Sequence, residues 1–247
     1  MFMCAAVTGE RPSVWQKLCG VVGSTSKRTG VAGSLANLLD PDNWLPGGRD
    51  AAFTLALIAL SAKMAIADGA VTASEVRAFH RTVEIPQGQQ EQIERVFDLA
   101  RQDVAGYEAY AKKIGRFFLD APETLEHVLD GLFFIATADG LVHEAELEYL
   151  RSVSGFFGFD DARFEQIAAQ HVVLEQGVDP YTVLGLSPEA NRDEVRRVYR
   201  RLVAEHHPDR LIAKGVPEEL IDVATARMSA INRAYEAITK PRPLSLA

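Results

Sequence analysis

Between residues 50 and 171, apolar positions recur at three- and four-residue steps, the period of amphipathic helices. The segment from Ile93 to Ala100 shows this pattern, with apolar residues at positions 93, 96, 97 and 100. Turn-forming residues interrupt the pattern at Asp68-Gly69, Pro86, Gly106, Pro122, Asp139-Gly140 and Gly158. We therefore predict an all-α bundle of about seven helices and no sheet.

The longest apolar run extends from Ala51 to Ala67 and contains Lys63. It is shorter than the roughly 20 residues that span a bilayer, so it predicts a helix buried on all sides of a bundle. Residues 1–49 are rich in Gly, Ser and Thr and weakly patterned, which predicts a weakly structured segment docked on the next domain. A membrane-surface anchor is the alternative, although its polar face would hold only Lys17.

An internal repeat relates Ala67–Glu75 to Ala138–Glu146, 71 residues further along the chain. Each copy predicts a helix that ends at Asp-Gly, a tight turn and a new helix. The pattern resembles the TerB-like domain of tellurite-resistance proteins, which is all-helical. We expect this domain to occupy residues 50–171.

Four acidic residues of the repeat could form a shared acidic surface for a metal or a partner: Asp68, Glu75, Asp139 and Glu146. Their spacing matches the second half of a calcium-loop signature. The earlier positions, which need oxygen ligands, hold residues such as Met64 and Ile135. We therefore expect structural roles at helix starts, keep the acidic surface as the alternative, and assign no metal site.

A different pattern begins at Asp179, which can cap a short helix that starts at Pro180. A second helix follows Asn191 and stops before Pro208. A third begins near Pro217. The apolar stripes of the two longer helices are Val195, Val198, Tyr199 and Leu202, and Ala224, Met228, Ile231, Tyr235 and Ile238. Two stripes joined by a loop predict an antiparallel hairpin with His207-Pro208-Asp209 at its tip.

The second helix of this hairpin is unusually cationic, with arginines at positions 192, 196, 197, 200 and 201. Like charges four residues apart each destabilise a helix by roughly 0.2–0.5 kcal/mol, so stability alone would favour interleaved glutamates. The pattern therefore favours a cationic stripe that steers an acidic protein partner. A solvated basic face without a partner is the alternative.

Together these features resemble the J-domain family. The residues that carry the resemblance are Asp179-Pro180-Tyr181, Leu184-Gly185, Val195 to Leu202, His207-Pro208-Asp209-Arg210 and Ile231 to Tyr235. We expect the J domain to cover residues 179–247, after a linker at 172–178.

The resemblance implies a DnaK-type ATPase chaperone as the partner. His207-Pro208-Asp209 would dock where the ATPase domain of that partner meets its interdomain linker. Asp209 would pair with an arginine there, Pro208 would fix the loop, and His207 would position it. The helix face that would meet the partner's acidic surface comprises Arg196, Arg197, Tyr199, Arg200 and Arg201. Such a domain does no chemistry itself, so we expect no enzyme, no catalytic residue and no cofactor.

Charge and cysteine content narrow the remaining classes. The net charge is −8, but residues 179–247 hold 11 Lys and Arg against 10 Asp and Glu. An acidic body with one local cationic patch argues against nucleic-acid binding. The only cysteines, Cys4 and Cys19, lack metal or disulfide spacing, and residues 2–7 are too short for a signal sequence. We expect a cytoplasmic protein, with peripheral attachment at the inner membrane as the alternative.

A segment from Leu211 to Pro217 enlarges the loop after Asp209. This enlargement and the upstream TerB-like domain resemble the DjlA branch of the J-domain family, which carries an N-terminal membrane anchor that this chain does not convincingly show. The resemblance implies a co-chaperone whose TerB-like domain binds a client or a membrane-associated partner. The alternative is a stress-response scaffold in which the J region only docks. We expect His206, next to the loop, to lie on the helix-end surface.

Overall fold

The computed structural model describes residues 48–67, 77–79, 94, 97–98, 100–101, 106–138, 140, 142–171, 178–213 and 220–240. Within these ranges the chain is α-helical and contains no strand, which confirms the predicted class. The helices with defined bounds are α1 (Gly48–Ala67), α2 (Tyr107–Phe117), α3 (Pro122–Ala136), α4 (Glu144–Phe156), α5 (Asp161–His171), α6 (Pro180–Leu184), α7 (Arg192–His206), α8 (Pro208–Ala213) and α9 (Ile221–Thr239).

Helix α1 is the centre of the upstream bundle. Every residue from Ala52 to Met64 is buried, as the unbroken apolar run predicts. The helix packs against α2, α3 and α4. The hydroxyl of Tyr149 on α4 donates a hydrogen bond to the Leu60 carbonyl at 2.8 Å, which pairs a buried polar group inside this core. None of the helices in the described part of the chain has the length and apolarity needed to cross a membrane.

The C-terminal helices form the predicted hairpin. Tyr199 on α7 contacts Asn232 and Tyr235 on α9. His206 lies further along α7, and the positive charge of Arg227, which lies earlier on α9, lowers the pKa of His206. Position numbers rise along one helix as they fall along the other, so the two helices are antiparallel. The predicted caps are present: the side chain of Asn191 accepts from the Glu194 amide at 3.0 Å, and that of Asp179 accepts from the Tyr181 amide at 3.3 Å.

The segment after His207 differs from the expected enlarged loop. His207 has an extended backbone, as a residue before proline prefers, and ends α7. Pro208 then begins the short helix α8, because its fixed φ suits a first helical position. Leu211, expected in the loop, is buried on this helix. Residues 214–219, which include the expected helix start near Pro217, lie outside the described ranges, and α9 is defined from Ile221.

The upstream and C-terminal helices share their apolar cores. Leu220 and Val223, at the start of α9, belong to the core of the upstream bundle. Ala169 of α5 belongs to the core of the C-terminal hairpin. Helix α9 packs against α3 and α5, and α6 packs against α5. These helices therefore form one packed body, and the predicted boundary at residues 172–178, of which 172–177 lie outside the described ranges, does not separate two independent cores.

Gly185 ends α6 at this shared boundary. Its φ is +67°, a left-handed conformation that side chains with a Cβ rarely adopt. A Cβ placed there would lie 2.6 Å from the side chain of Gln166, which is buried on α5. The glycine therefore allows both the end of α6 and its close approach to the upstream bundle.

We expect Gly185→Ala to lower the free energy of unfolding by about 1 kcal/mol or more, because alanine is strained at positive φ and meets Gln166. Gly155→Ala is the matched control, since Gly155 lies in α4 with no atom within 4 Å of an added Cβ. The control should be neutral or stabilise by up to about 1 kcal/mol. Urea unfolding of both variants measures the difference, and equal effects would contradict a strained role for Gly185.

Candidate functional site

The predicted loop is a short, exposed corner between α7 and α8. The Asp209 amide donates a hydrogen bond to Nδ1 of His207 at 3.2 Å, which orients the imidazole. Arg210 donates to the Ala204 carbonyl at 2.6 Å and ties the start of α8 to the end of α7. The side chain of Asp209 is 87% exposed and that of His207 is 46% exposed. The corner therefore has a defined backbone and presents a carboxylate to solvent.

The arginine face lies on the same helix as this corner. All five arginines of α7 are exposed: Arg192, Arg196, Arg197, Arg200 and Arg201. Among the described residues, only long ion pairs within the helix oppose this charge, from Arg197 to Glu194 at 3.8 Å and from Arg201 to Glu205 at 3.9 Å. Arg200 is seven residues before His207, about 10 Å along the helix axis. The face and the corner can therefore contact one partner together.

An open groove of about 910 Å³ runs beside the arginine face. The ring of Tyr199 stacks on that of Tyr235 with centroids 4.0 Å apart, and its hydroxyl donates to Asn232 at 3.0 Å. The groove is lined by Asn191, Asp193, Glu194, Arg196, Arg197, Tyr199, Arg200 and Tyr235. Four of the five predicted partner-binding residues of α7, all except Arg201, thus line this groove, and Tyr199 is stacked on Tyr235 there.

Only one of the four acidic residues of the repeat, Glu146, lies among the described residues. Asp68, Glu75 and Asp139 lie outside the described residues. Glu146 is only 1% exposed, so its assignment to an acidic surface was wrong. Its carboxylate accepts from the His143 amide at 2.9 Å in the first turn of α4, where the unpaired amides of a helix start favour a negative charge. Among the described residues, no group of His, Cys, Asp and Glu could hold a metal ion.

A buried polar cluster that the sequence did not reveal lies behind the corner. Arg227 of α9 is 1% exposed. Its Nη1 donates to Asp130, its Nη2 donates to Glu126 at 2.6 Å, and its Nε donates to Gln170 at 2.5 Å. Glu126 and Asp130 lie on α3, and Gln170 lies on α5. We call these four residues the Arg227 cluster; it joins the C-terminal hairpin to the upstream bundle.

Further hydrogen bonds complete the cluster. Arg163 donates to the second oxygen of Glu126 at 2.6 Å, and His171 lies 2.8 Å from the second oxygen of Asp130. Gln170 also donates to the Val183 carbonyl of α6 at 2.8 Å. Two guanidinium groups therefore balance two carboxylates, as a charge inside a protein requires.

The charges of the cluster stabilise one another. Burial alone would raise the pKa of Asp130, but Arg227 and the hydrogen bond from His171 hold that pKa well below its usual value. Burial also opposes ionisation of Glu126, and Arg227 with Arg163 again leaves its pKa lowered. Both carboxylates are therefore charged at neutral pH, and the contact with Arg227 is ionic.

His206 connects this cluster to the corner. Its expected position on the helix-end surface was wrong, because it is only 6% exposed. Burial, and then the positive charge of Arg227, lower its pKa to about 3, so the ring is neutral. Its Nε2 is buried and has no hydrogen-bond partner among the described residues. The residue directly before His207 thus faces the interior.

Sequence signals for the cluster existed but were weak. Glu126 and Asp130 are acidic residues four positions apart among the buried apolar positions of α3, and Arg227 continues an apolar row of α9 that contains Val223 and Ala230. A charged residue at a core position indicates a buried pair, but the pattern of one helix does not reveal its partner on another.

Comparison with known proteins agrees with this organisation. Residues 54–169 match the family model described as Tellurite resistance protein TerB, and residues 179–243 match the DnaJ domain. No solved structure matches the chain. The fold and the sites therefore define a J-domain protein with a TerB-like domain upstream.

Curated relatives named Co-chaperone protein DjlA align along most of the chain. That of Coxiella burnetii is 30% identical over 200 residues, which cover 73% of this chain and 74% of the relative. That of Photobacterium profundum is 28% identical over 219 residues, covering 78% and 79%. That of Vibrio cholerae is 33% identical over 156 residues, covering 52% and 53%. The chain belongs to the DjlA co-chaperone family.

We expect Arg227→Met to lower the free energy of unfolding by about 3–5 kcal/mol, because it leaves buried carboxylates without their partner. Arg151→Met is the control, since Arg151 also bridges two carboxylates, Asp161 and Glu165, but on the surface. Surface pairs contribute about 1 kcal/mol or less. Urea unfolding at pH 7 compares them, and a similar loss for both would refute the importance of the buried pairing.

Acid should destabilise the fold below about pH 6.5 through His206. Between its unfolded value of 6.5 and its folded pKa of about 3, the unfolded chain binds a proton that the folded chain does not. The stability that neutral His206 contributes is therefore complete above pH 6.5 and is lost as pH falls through this window. His127 of α3, whose pKa burial also lowers, acts in the same direction.

His206→Gln should reduce the stability loss between pH 6.5 and 5 by roughly 2 kcal/mol, because each pKa unit corresponds to about 1.4 kcal/mol. Urea unfolding across this range measures the slope. An unchanged slope in His206→Gln would show that this histidine is not held neutral in the folded chain.

Proposed function

We propose that this chain is a co-chaperone that binds a DnaK-type chaperone through His207-Pro208-Asp209 and the arginine face of α7 and stimulates its ATPase. The observation that carries the proposal is the intact, exposed loop beside that face, in a chain of the DjlA family. In this proposal the TerB-like domain supplies client binding or localisation.

The geometry of the corner supports a docking role. The carboxylate of Asp209 is held at the first turn of α8 and can accept a charge-assisted hydrogen bond from an arginine of the partner. Because the hydrogen bond between His207 and the Asp209 amide fixes the corner in advance, little conformational entropy remains to be lost on binding. Pro208 contributes to this by limiting the backbone.

The charge of α7 supports the other half of the interaction. Exposed arginines on one helix attract an acidic surface at a distance and speed its encounter. The stacked pair of Tyr199 and Tyr235 adds a rigid contact surface beside them. Because exposed charges are screened by salt, this part of the binding should weaken as ionic strength rises.

The chain would act without chemistry of its own. A co-chaperone accelerates hydrolysis if it binds the hydrolysis-competent conformation of its partner more tightly than the alternative conformation. His207, Pro208 and Asp209 are therefore partner-binding residues rather than catalytic ones.

Single-turnover ATP hydrolysis by the host's DnaK-type chaperone tests this proposal. The unaltered chain should accelerate hydrolysis, and His207→Gln or Asp209→Asn should return the rate to that of the chaperone alone. Arg151→Met, on the surface of the TerB-like domain, is the control and should stimulate fully. Raising the salt concentration should increase the concentration of this protein that gives half-maximal stimulation.

Two results would contradict the proposal. Absence of stimulation by the unaltered chain would reject it, and equal stimulation by His207→Gln would show that the loop is not the contact. Binding to the chaperone without stimulation would instead favour a stress-response scaffold in which the J region only docks.

A further inference from the structure

The J domain uses two parts of its surface differently. The loop and the arginines of α7 are exposed, whereas Arg227, Val183 and Gly185 contact α3 or α5 of the TerB-like domain. Docking onto the TerB-like domain therefore leaves the proposed partner-binding surface open. This arrangement is compatible with an active J domain and argues against an inhibitory contact.

The contact between the two domains is linked to the loop through α9, which packs against α7 and α8 on either side of the loop. His206 is buried at the end of α7, within the electrostatic influence of Arg227 on α9 and of Glu126, His127 and Asp130 on α3. The next residue is His207, which is half exposed and begins the proposed contact. A shift of α9 would therefore change the packing of the two helices to which the loop is attached.

Adhesion alone does not require the Arg227 cluster. Leu220, Val223 and Ala169 already bury apolar surface between the two domains. Replacement of a buried ion pair by well-packed apolar residues is often neutral or stabilising. The Arg227 guanidinium instead fixes the relative orientation of the helices. Each of its three nitrogen atoms donates to a different side chain, so the planar group fits one arrangement of Glu126, Asp130 and Gln170.

We infer that the TerB-like domain is a positioning element for the J domain: Glu126 and Asp130 hold Arg227 and thereby fix the end of α7 that carries His207-Pro208-Asp209. Arg227 is a positioning residue, which acts through the packing of α9 against α7 and α8 and not through contact with the partner. The test of this inference by ATPase stimulation rests on the proposed function, while the fixed arrangement of the two domains can be measured without a partner.

Spin-label distance measurements on the full chain test the fixed arrangement. The labels are placed on exposed positions of the two domains by Glu148→Cys and Glu189→Cys, with Cys4 and Cys19 replaced by serine. The unaltered cluster should give one narrow distance distribution. Arg227→Met should broaden it, and Arg151→Met, which removes a surface arginine with two carboxylate partners, should leave it narrow.

A second variant covers the case in which Arg227→Met does not fold. The triple variant Glu126→Gln/Asp130→Asn/Arg227→Met removes the carboxylates together with the arginine, so no unpaired carboxylate remains inside. It keeps the approximate volume of each side chain but lacks the ion pairs between Arg227 and the two carboxylates. It should fold and show the same broadening.

Single-turnover ATP hydrolysis with the same variants tests the positioning role. The maximal stimulated rate should fall about 2- to 30-fold in the Arg227 and triple variants, the range found for residues that couple distant sites. The concentration for half-maximal stimulation should stay unchanged, because the arginine face of α7 is intact. Simple loss of folded protein would instead raise that concentration and leave the maximal rate unaltered.

The outcomes separate the two proposals. No stimulation by the unaltered chain rejects the proposed function and, with it, the positioning role. If the unaltered chain stimulates normally but gives a broad distance distribution, the positioning role alone is rejected. Full maximal rates in the folded triple variant also reject the positioning role alone. A narrow distribution that broadens with a lowered maximal rate supports it.

Discussion

The pairing of one buried arginine with two carboxylates constrains the rest of this structure. A charge removed from water needs complete pairing, and Arg227 obtains it only where α3, α5 and α9 meet in one register. That register sets the position of α7, which packs on α9, and of the corner that follows α7. The geometry of the exposed loop is thus linked to an interaction in the interior.

Arginine has two distinct uses in this chain. On α7 five arginines are exposed and only partly balanced, so their field extends into solvent towards a partner. In the interior, Arg227 and Arg163 are balanced by Glu126 and Asp130, and their field is cancelled locally. One set recognises another molecule, while the other fixes the orientation of the chain's own helices.

Much of this could be predicted from local pattern. Three features depend on residues close together in sequence, so the local pattern predicts them. They are the buried helix from Ala52 to Met64, the antiparallel α7 and α9, and the caps at Asp179 and Asn191. The position of His206 depends instead on the helices that bury the end of α7. The same reason explains Glu146: a short acidic motif suggests a surface, while burial is decided by helices far away in the sequence. Helix α8 was missed because a proline that ends one helix also suits the start of the next.

The positions of Leu220 and Val223 affect how the chain folds during its synthesis. Both belong to the apolar core built mainly from residues before position 169, although they are separated from it in sequence by three helices of the J domain, α6, α7 and α8. The last residues of the first core are therefore synthesised only after α6, α7 and α8. Until then the nascent bundle lacks part of its apolar core, so its folding cannot be completed before α9 begins to emerge. Evolutionary exchange of this J domain for another would have to preserve those two apolar residues as well as the loop.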